Sequence, residues 1–100
     1  MRALHVVTLL RAAREIDEAR RWWTEHRDVR VLDDGIAAAL RFVQAFPEAS
    51  PLVKVGARWT KNRRASVEPV GYNLFYRYEP KTRTVIIRCF RHRSRRPPRL

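Results

Sequence analysis

Apolar positions keep a helical beat in the first half of the chain and a strand beat in the second. Residues 3–8 (Ala-Leu-His-Val-Val-Thr) are a short β-prone run, read as an N-terminal strand, and Thr8 is placed to cap a helix beginning just after it. Over residues 10–26, Ala12, Ile16, Ala19 and Trp23 recur at steps of four, three and four, one face of an α-helix. Arg14 and Glu18 lie at i,i+4 beside that face, and the other side is charged. A second helix is expected over 31–46, where Leu32, Ile36, Ala39 or Leu40, Val43 and Phe46 repeat at helical spacing. Asp33 and Asp34 suit its N-terminus through the helix dipole. Gly35 reads as a blemish of roughly 1 kcal/mol relative to Ala, and Pro47 ends the helix.

Residues 47–56, with Pro47, Ser50, Pro51 and Gly56, read as a connecting loop. After it the period becomes two. A strand is expected over 63–68, then one over 72–78 in which Tyr72, Leu74, Tyr76 and Tyr78 share a face under the helices, and a third over 84–90. Glu68-Pro69-Val70-Gly71 and Glu79-Pro80-Lys81-Thr82 supply the turns, so the last two strands pair as an antiparallel hairpin. The order β-α-α-β-β-β predicts an α+β fold: an N-terminal strand, then a helical hairpin packed on a small twisted antiparallel sheet. Residues 1–92 form one domain. Residues 93–100, with Pro97-Pro98, form a basic tail, irregular or extended, that is expected to add little to the core.

Charge changes this picture. Residues 1–50 hold 8 basic and 8 acidic groups, and residues 51–100 hold 14 basic and 2 acidic, so the whole net charge of +12 lies in the second half. One-sided charge costs self-repulsion and points to an acidic or polyanionic partner. Six arginines and no acid fall between Arg88 and Leu100, whereas a solvated face mixes signs. The apolar fraction of 45% argues against global disorder. Cys89 is the only cysteine, which rules out an intrachain disulfide and reads as a small core residue in a reducing, cytoplasmic protein. No apolar run reaches the roughly 18 residues of a membrane span. His5, His26 and His92 are scattered, and no metal site or cofactor is expected.

Several blocks together resemble a known family. Arg11-Ala12-Ala13-Arg14-Glu15-Ile16-Asp17-Glu18-Ala19, Trp22-Trp23 and Glu25-His26-Arg27 are similar to the first helix of RelE/ParE-type toxins of type II toxin–antitoxin modules, and Phe46-Pro47 to the close of the second. Arg63-Arg64 and Gly71-Tyr72-Asn73-Leu74-Phe75-Tyr76-Arg77 resemble the middle strands. Residues 85–92 and the run Pro97-Pro98-Arg99-Leu100 resemble the last strand and tail. The resemblance implies a toxin neutralised by a cognate acidic antitoxin, with no small-molecule cofactor and no membrane. RelE-like members cut mRNA on the ribosome, and ParE-like members poison DNA gyrase. The nuclease branch places an Arg directly after the tyrosine that opens the third strand, where this chain has Asn73. It also carries a C-terminal tyrosine, and none follows Tyr78 here. These departures favour the ParE-like branch, acting by binding, with no catalytic residue assigned. If the chain is instead a metal-independent mRNA endonuclease, His92 is the candidate base, with Arg64 and Arg95 on phosphate. A non-toxic basic nucleic-acid-binding module is the remaining alternative.

Candidate contacts to antitoxin or target are Lys54, Arg58, Trp59, Lys61, Arg63 and Arg64 in the middle of the chain. Arg91, Arg93, Arg95, Arg96 and Arg99 follow at its end, with Trp22 on the first helix. Trp22 and Trp23 point about 100° apart, so Trp23 fits the core and Trp22 its edge. Trp59, among basic residues, could stack a base, but such a Trp more often packs across its loop onto the sheet. His92 is equally a strand-end residue bonded to backbone, which is the commoner role.

Overall fold

A computed structural model describes residues 4–100. Ala3, at the start of the expected first strand, lies outside the described residues with Met1 and Arg2. The elements are β1 (His5–Thr8), α1 (Leu10–His26), α2 (Val29–Ala45), β2 (Leu52–Val55), β3 (Arg58–Val67), β4 (Tyr72–Glu79) and β5 (Thr84–His92). The α+β architecture is the expected one. The helical pair lies on one face of a five-stranded sheet ordered β1-β5-β4-β3-β2.

Two features go beyond the expected order. β1 runs parallel to β5, with His5 opposite Thr84 and Thr8 opposite Ile87, so the sheet is mixed rather than wholly antiparallel. The connection between them runs through α1, α2, β2, β3 and β4, the long crossover that a parallel pair requires. The second addition is β2, within the stretch read as a loop. It pairs antiparallel with β3 through Lys54–Trp59 and Val55–Arg58 across a turn at Gly56, whose φ of 60° suits a residue without Cβ.

Helix boundaries differ from the expectation for local reasons. Thr8 does not cap α1; it stays in the ladder opposite Ile87, and Leu9 is the N-cap without a side-chain bond. The strand runs straight into the helix, and the Leu9 N–H donates to the Ile87 carbonyl at 2.9 Å. α2 begins earlier than the spacing implied. Asp28 caps it by accepting from the Arg30 N–H at 3.0 Å. Asp33 therefore sits in the second turn and takes a two-pronged ion pair from Arg20, at 2.8 and 2.9 Å.

The core lies between the helices and one sheet face. Ala12, Ala19, Leu32, Ala39 and Val43 come from the helices; Ala65, Val67, Leu74, Tyr76, Val85, Ile87 and Phe90 come from the strands. Trp23, Tyr72 and Tyr78 pack half-buried against it, on the expected faces. Tyr76 is fully buried, and its hydroxyl donates to the Pro47 carbonyl at 2.8 Å, so its polar atom is satisfied. Gly35 is not a blemish: a Cβ there would stand 2.9 Å from the Glu68 carbonyl oxygen. Its absence lets α2 approach the end of β3.

The opposite sheet face carries the site. Arg64, Phe75 and Cys89 stand in one cross-strand row, and Ser66, Asn73 and Arg91 in the next. Phe75 and Cys89 are buried there, outside the helix-side core. Burial pushes the Cys89 thiol up, so it remains a neutral packing group.

Candidate functional site

The sheet face turned away from the helices and a folded-back tail make a cleft of about 380 Å³. β2 contributes Lys54, β3 contributes Trp59 and Arg64, and β4 contributes Asn73 above a floor of Phe75. β5 contributes Arg91 and His92. The tail closes the cleft with Arg93, Arg95, Arg96, Pro97 and Pro98, and no acid lines it among the described residues. The tail turns at its start, where the Arg95 N–H donates to the His92 carbonyl at 3.0 Å, and is irregular after it, yet it is held in place. Pro98 is buried. Arg91 Nη1 donates to the Arg96 carbonyl at 3.2 Å, and Arg11 Nη1 donates to the Arg99 carbonyl at 2.8 Å. The tail adds no residue to the helix-side core, but backbone carbonyls of this segment are acceptors for the body of the protein.

The residue that sets up this corner is Glu15. β1 ends at Thr8, so the outer edge of β5 beyond Ile87 has no strand beside it among the described residues. α1 passes there instead. Glu15 Oε1 accepts from the Phe90 N–H at 3.1 Å, and Oε2 accepts from Arg91 Nε at 3.2 Å. One carboxylate thus satisfies an orphaned edge donor and fixes Arg91. Sequence reasoning missed this role. The signal was available: Glu15 stands three residues after buried Ala12 and four before buried Ala19, an acid on the core stripe of α1.

The candidate residues divide. Lys54, Trp59, Arg64, Arg91, Arg93, Arg95 and Arg96 converge on the cleft. Arg63 does not. Its guanidinium donates to the carbonyls of Glu48 and Ser50, at 2.9 and 2.8 Å, and clips the loop after α2 to the sheet. Lys61 borders a separate hollow with Arg63 and Tyr78, Arg58 is exposed beside the Gly56 turn, and Arg99 serves through its carbonyl. Trp22 lies on α1 outside the cleft, stacked on His26 with centroids 4.7 Å apart and with the Arg27 guanidinium 5.9 Å from its ring. Trp59 does not pack down onto the sheet. It is 65% exposed, because its hairpin forms the sheet margin and no further strand lies beyond it to receive the ring among the described residues. The Lys54 ammonium stands 5.4 Å from the Trp59 ring centroid instead.

Not every cation in the cleft is free to bind. Arg91 is held by Glu15, and Arg93 donates to Glu68 Oε1 at 2.5 Å. Arg64, Arg95 and Arg96 have no carboxylate partner among the described residues. These three, with Lys54, give the cleft donors of the kind that suit phosphate or carboxylate. His92 is differently placed. Its Nδ1 accepts the Ser94 N–H at 3.1 Å and contacts the Ser94 hydroxyl at 2.7 Å. The neutral ring therefore carries its proton on Nε2, which packs towards Gly71. The one nitrogen able to accept a proton is already occupied by backbone. The commoner, structural role of His92 is the one its bonding describes.

No protein-family model and no curated protein matches the sequence. Solved structures do match the fold. A chain of the RelBE2 toxin–antitoxin complex from Mycobacterium tuberculosis is 19% identical, with a TM-score of 0.61 over 95% of this chain and 97% of that one. A chain of the chromosomal ParDE system of P. aeruginosa is 13% identical, with a TM-score of 0.71 over 90% and 96%. A chain of the E. coli DinJ–YafQ complex is 12% identical, with a TM-score of 0.63 over 93% and 96%. This chain therefore shares its fold with chains of these toxin–antitoxin complexes.

Proposed function

We propose that this chain is the toxin of a type II toxin–antitoxin module, ParE-like in action, arresting growth in the bacterial cytoplasm by binding its target. DNA gyrase is the target this reading names, and an acidic antitoxin the neutralising partner. The observation that carries the binding mode is the state of the cleft. It is cationic, and the Nδ1 of its one imidazole, His92, is engaged by the Ser94 N–H. Guanidinium groups stay protonated and cannot take the proton from a ribose hydroxyl. Asn73 lines the cleft where the nuclease branch places Arg.

One observation favours a second reading, a ribosome-dependent mRNA endonuclease: Arg64, His92 and Arg95 line the same cleft. Purified protein separates the two. The binding reading expects inhibition of gyrase supercoiling, accumulation of cleaved DNA complexes and intact ribosome-bound mRNA. Codon-specific breaks by primer extension, lost in His92→Ala, would install the nuclease instead. The toxin reading itself expects growth arrest on induction and rescue by the antitoxin. Normal colony formation at confirmed expression of folded protein would sink it.

A further inference from the structure

Three serines occur in the chain. Ser50 is buried, and Ser66 is fixed in the β3 ladder opposite Asn73. Ser94 is exposed and lies outside every strand, in the turn that the Arg95 N–H closes on the His92 carbonyl. Thr82, the comparable hydroxyl in the turn before β5, donates to the Thr84 hydroxyl at 3.0 Å.

Two contacts fix how the Ser94 hydroxyl points. His92 Nδ1 accepts the Ser94 N–H at 3.1 Å, so that nitrogen carries no proton. The Ser94 hydroxyl, 2.7 Å from the same nitrogen, is therefore the donor. A nucleophile and a base thus stand within hydrogen-bond reach of each other. The imidazole is held edge-on to Tyr72, with ring centroids 5.0 Å apart and planes at 90°. The surroundings suit an anion. Arg91 and Arg93 precede Ser94, Arg95 and Arg96 follow it, and no acid occurs between Glu79 and Leu100. Arg95 and Arg96 have no carboxylate partner among the described residues.

We infer that Ser94 is a phosphoryl-acceptor site for a partner kinase, and that its modification closes the cationic cleft. The phosphoryl donor is a nucleoside triphosphate. Ser94 Oγ attacks the terminal phosphorus, and the Oγ–P bond forms as the bond from phosphorus to the nucleoside diphosphate oxygen breaks. The hydroxyl proton passes to His92 Nδ1, which already accepts it in a hydrogen bond. The Nδ1–H and the Ser94 N–H are then two donors facing one phosphate. Basic residues on both flanks of a serine are a charge pattern that an acid-lined kinase groove selects. The phosphate brings a charge of about −1.5 to −2 and draws guanidinium groups to itself. Arg95 and Arg96 are two of the four cleft cations without a carboxylate, beside Arg64 and Lys54. Turning both to the phosphate removes about half of the cleft's free positive charge. The acceptor site stands without the toxin reading, and only the biological consequence of a closed cleft rests on it.

The test uses the whole protein, Mg·ATP and a purified serine kinase of basic specificity, with the modified positions mapped by mass spectrometry. Phosphate should appear on Ser94, with Ser50, Ser66 and Thr82 unmodified. Wild-type mapping needs no variant: no phosphate on Ser94, or equal phosphate on Ser66 or Thr82, overturns the site. His92→Gln should lower kcat of the transfer about tenfold or more and leave KM, set by the flanking arginines, unchanged. An unchanged kcat in folded His92→Gln overturns the role of the imidazole. In the phosphorylated protein the Arg95 and Arg96 Nε–H resonances should move by NMR. Affinity for a ten-nucleotide oligothymidylate, a polyanionic probe of the cleft, should fall about tenfold or more. Phosphate on Ser94 with those resonances and that affinity unmoved overturns closure. Growth arrest on induction is scored separately, so a chain that is not a toxin and a serine that is not an acceptor give different results.

Discussion

Gly35→Ala sets two effects of known size against each other. In an exposed helix interior the change is favourable by about 1 kcal/mol, because Ala loses less backbone freedom on folding. In α2 the new Cβ would lie 2.9 Å from the Glu68 carbonyl oxygen and 3.3 Å from Val67 Cγ1. The nearer atom is backbone, so no side-chain rotation relieves the overlap. The Val67–Gly71 turn is closed by a hydrogen bond from the Gly71 N–H to the Val67 carbonyl, at 3.1 Å, which restrains this segment. Overpacking of this kind costs about 1–3 kcal/mol. The difference leaves a net loss of about 1 kcal/mol, or a fall in Tm of about 4–8 °C in a chain of this size. Urea unfolding with a shared m-value reads it directly. A midpoint that rises, as at an ordinary helical glycine, would refute the close approach of α2 to β3.

Three further outcomes are expected. Glu15→Ala leaves the Phe90 N–H unpaired at the β5 edge and should cost about 2–3 kcal/mol in urea unfolding, with Glu15→Gln milder because its amide oxygen can still accept. Deleting residues 96–100 removes buried Pro98 and the carbonyls used by Arg91 and Arg11; with both arginines partly exposed, the loss should be about 1–2 kcal/mol, and an unchanged melt would mean the tail is not held. The hydrogen-bonded Arg20 guanidinium holds the Asp33 carboxyl below its ordinary 3.8, so the pair stabilises the fold above that pH and stops doing so as pH falls through the lower folded value. Arg20→Gln should therefore lower Tm at pH 7, and the gap from wild type should close in strong acid; a gap that persists there would assign the effect to packing.

Much of the fold was legible because periodicity records burial. Ala12, Ala19, Leu32, Ala39 and Val43 alternate at helical steps, and Leu74 and Tyr76 at strand steps, because each set meets the same core. β2 was not legible. Leu-Val-Lys-Val after a proline is too short to show a period, and its partner, β3, is an equally mixed run. Thr8 and Gly35 misled for a shared reason: local preference favoured a cap and disfavoured a glycine, while the Ile87 ladder and the Glu68 carbonyl decided both. The candidate site was legible as charge and illegible as geometry. Arg63 and Arg64 are neighbours in sequence, yet strand alternation sends one to loop carbonyls and the other to the cleft. Glu15 escaped notice because its partners, Phe90 and Arg91, are three-quarters of the chain away.

The parallel pairing of β1 with β5 also fixes when the molecule can be finished. His5 waits for Thr84, 79 positions later (84 minus 5). At a synthesis rate of about 5–20 residues per second, the first strand stays without its partner for roughly 4–16 s on the ribosome. Helices α1 and α2 are made in that interval, with no sheet to lie on. Loop closure of this span is slow to begin and is rewarded only at the end. The cationic cleft depends on β5 and the tail, which are made after β1 to β4 and both helices. A nascent chain that stops short of these segments therefore has no complete cleft.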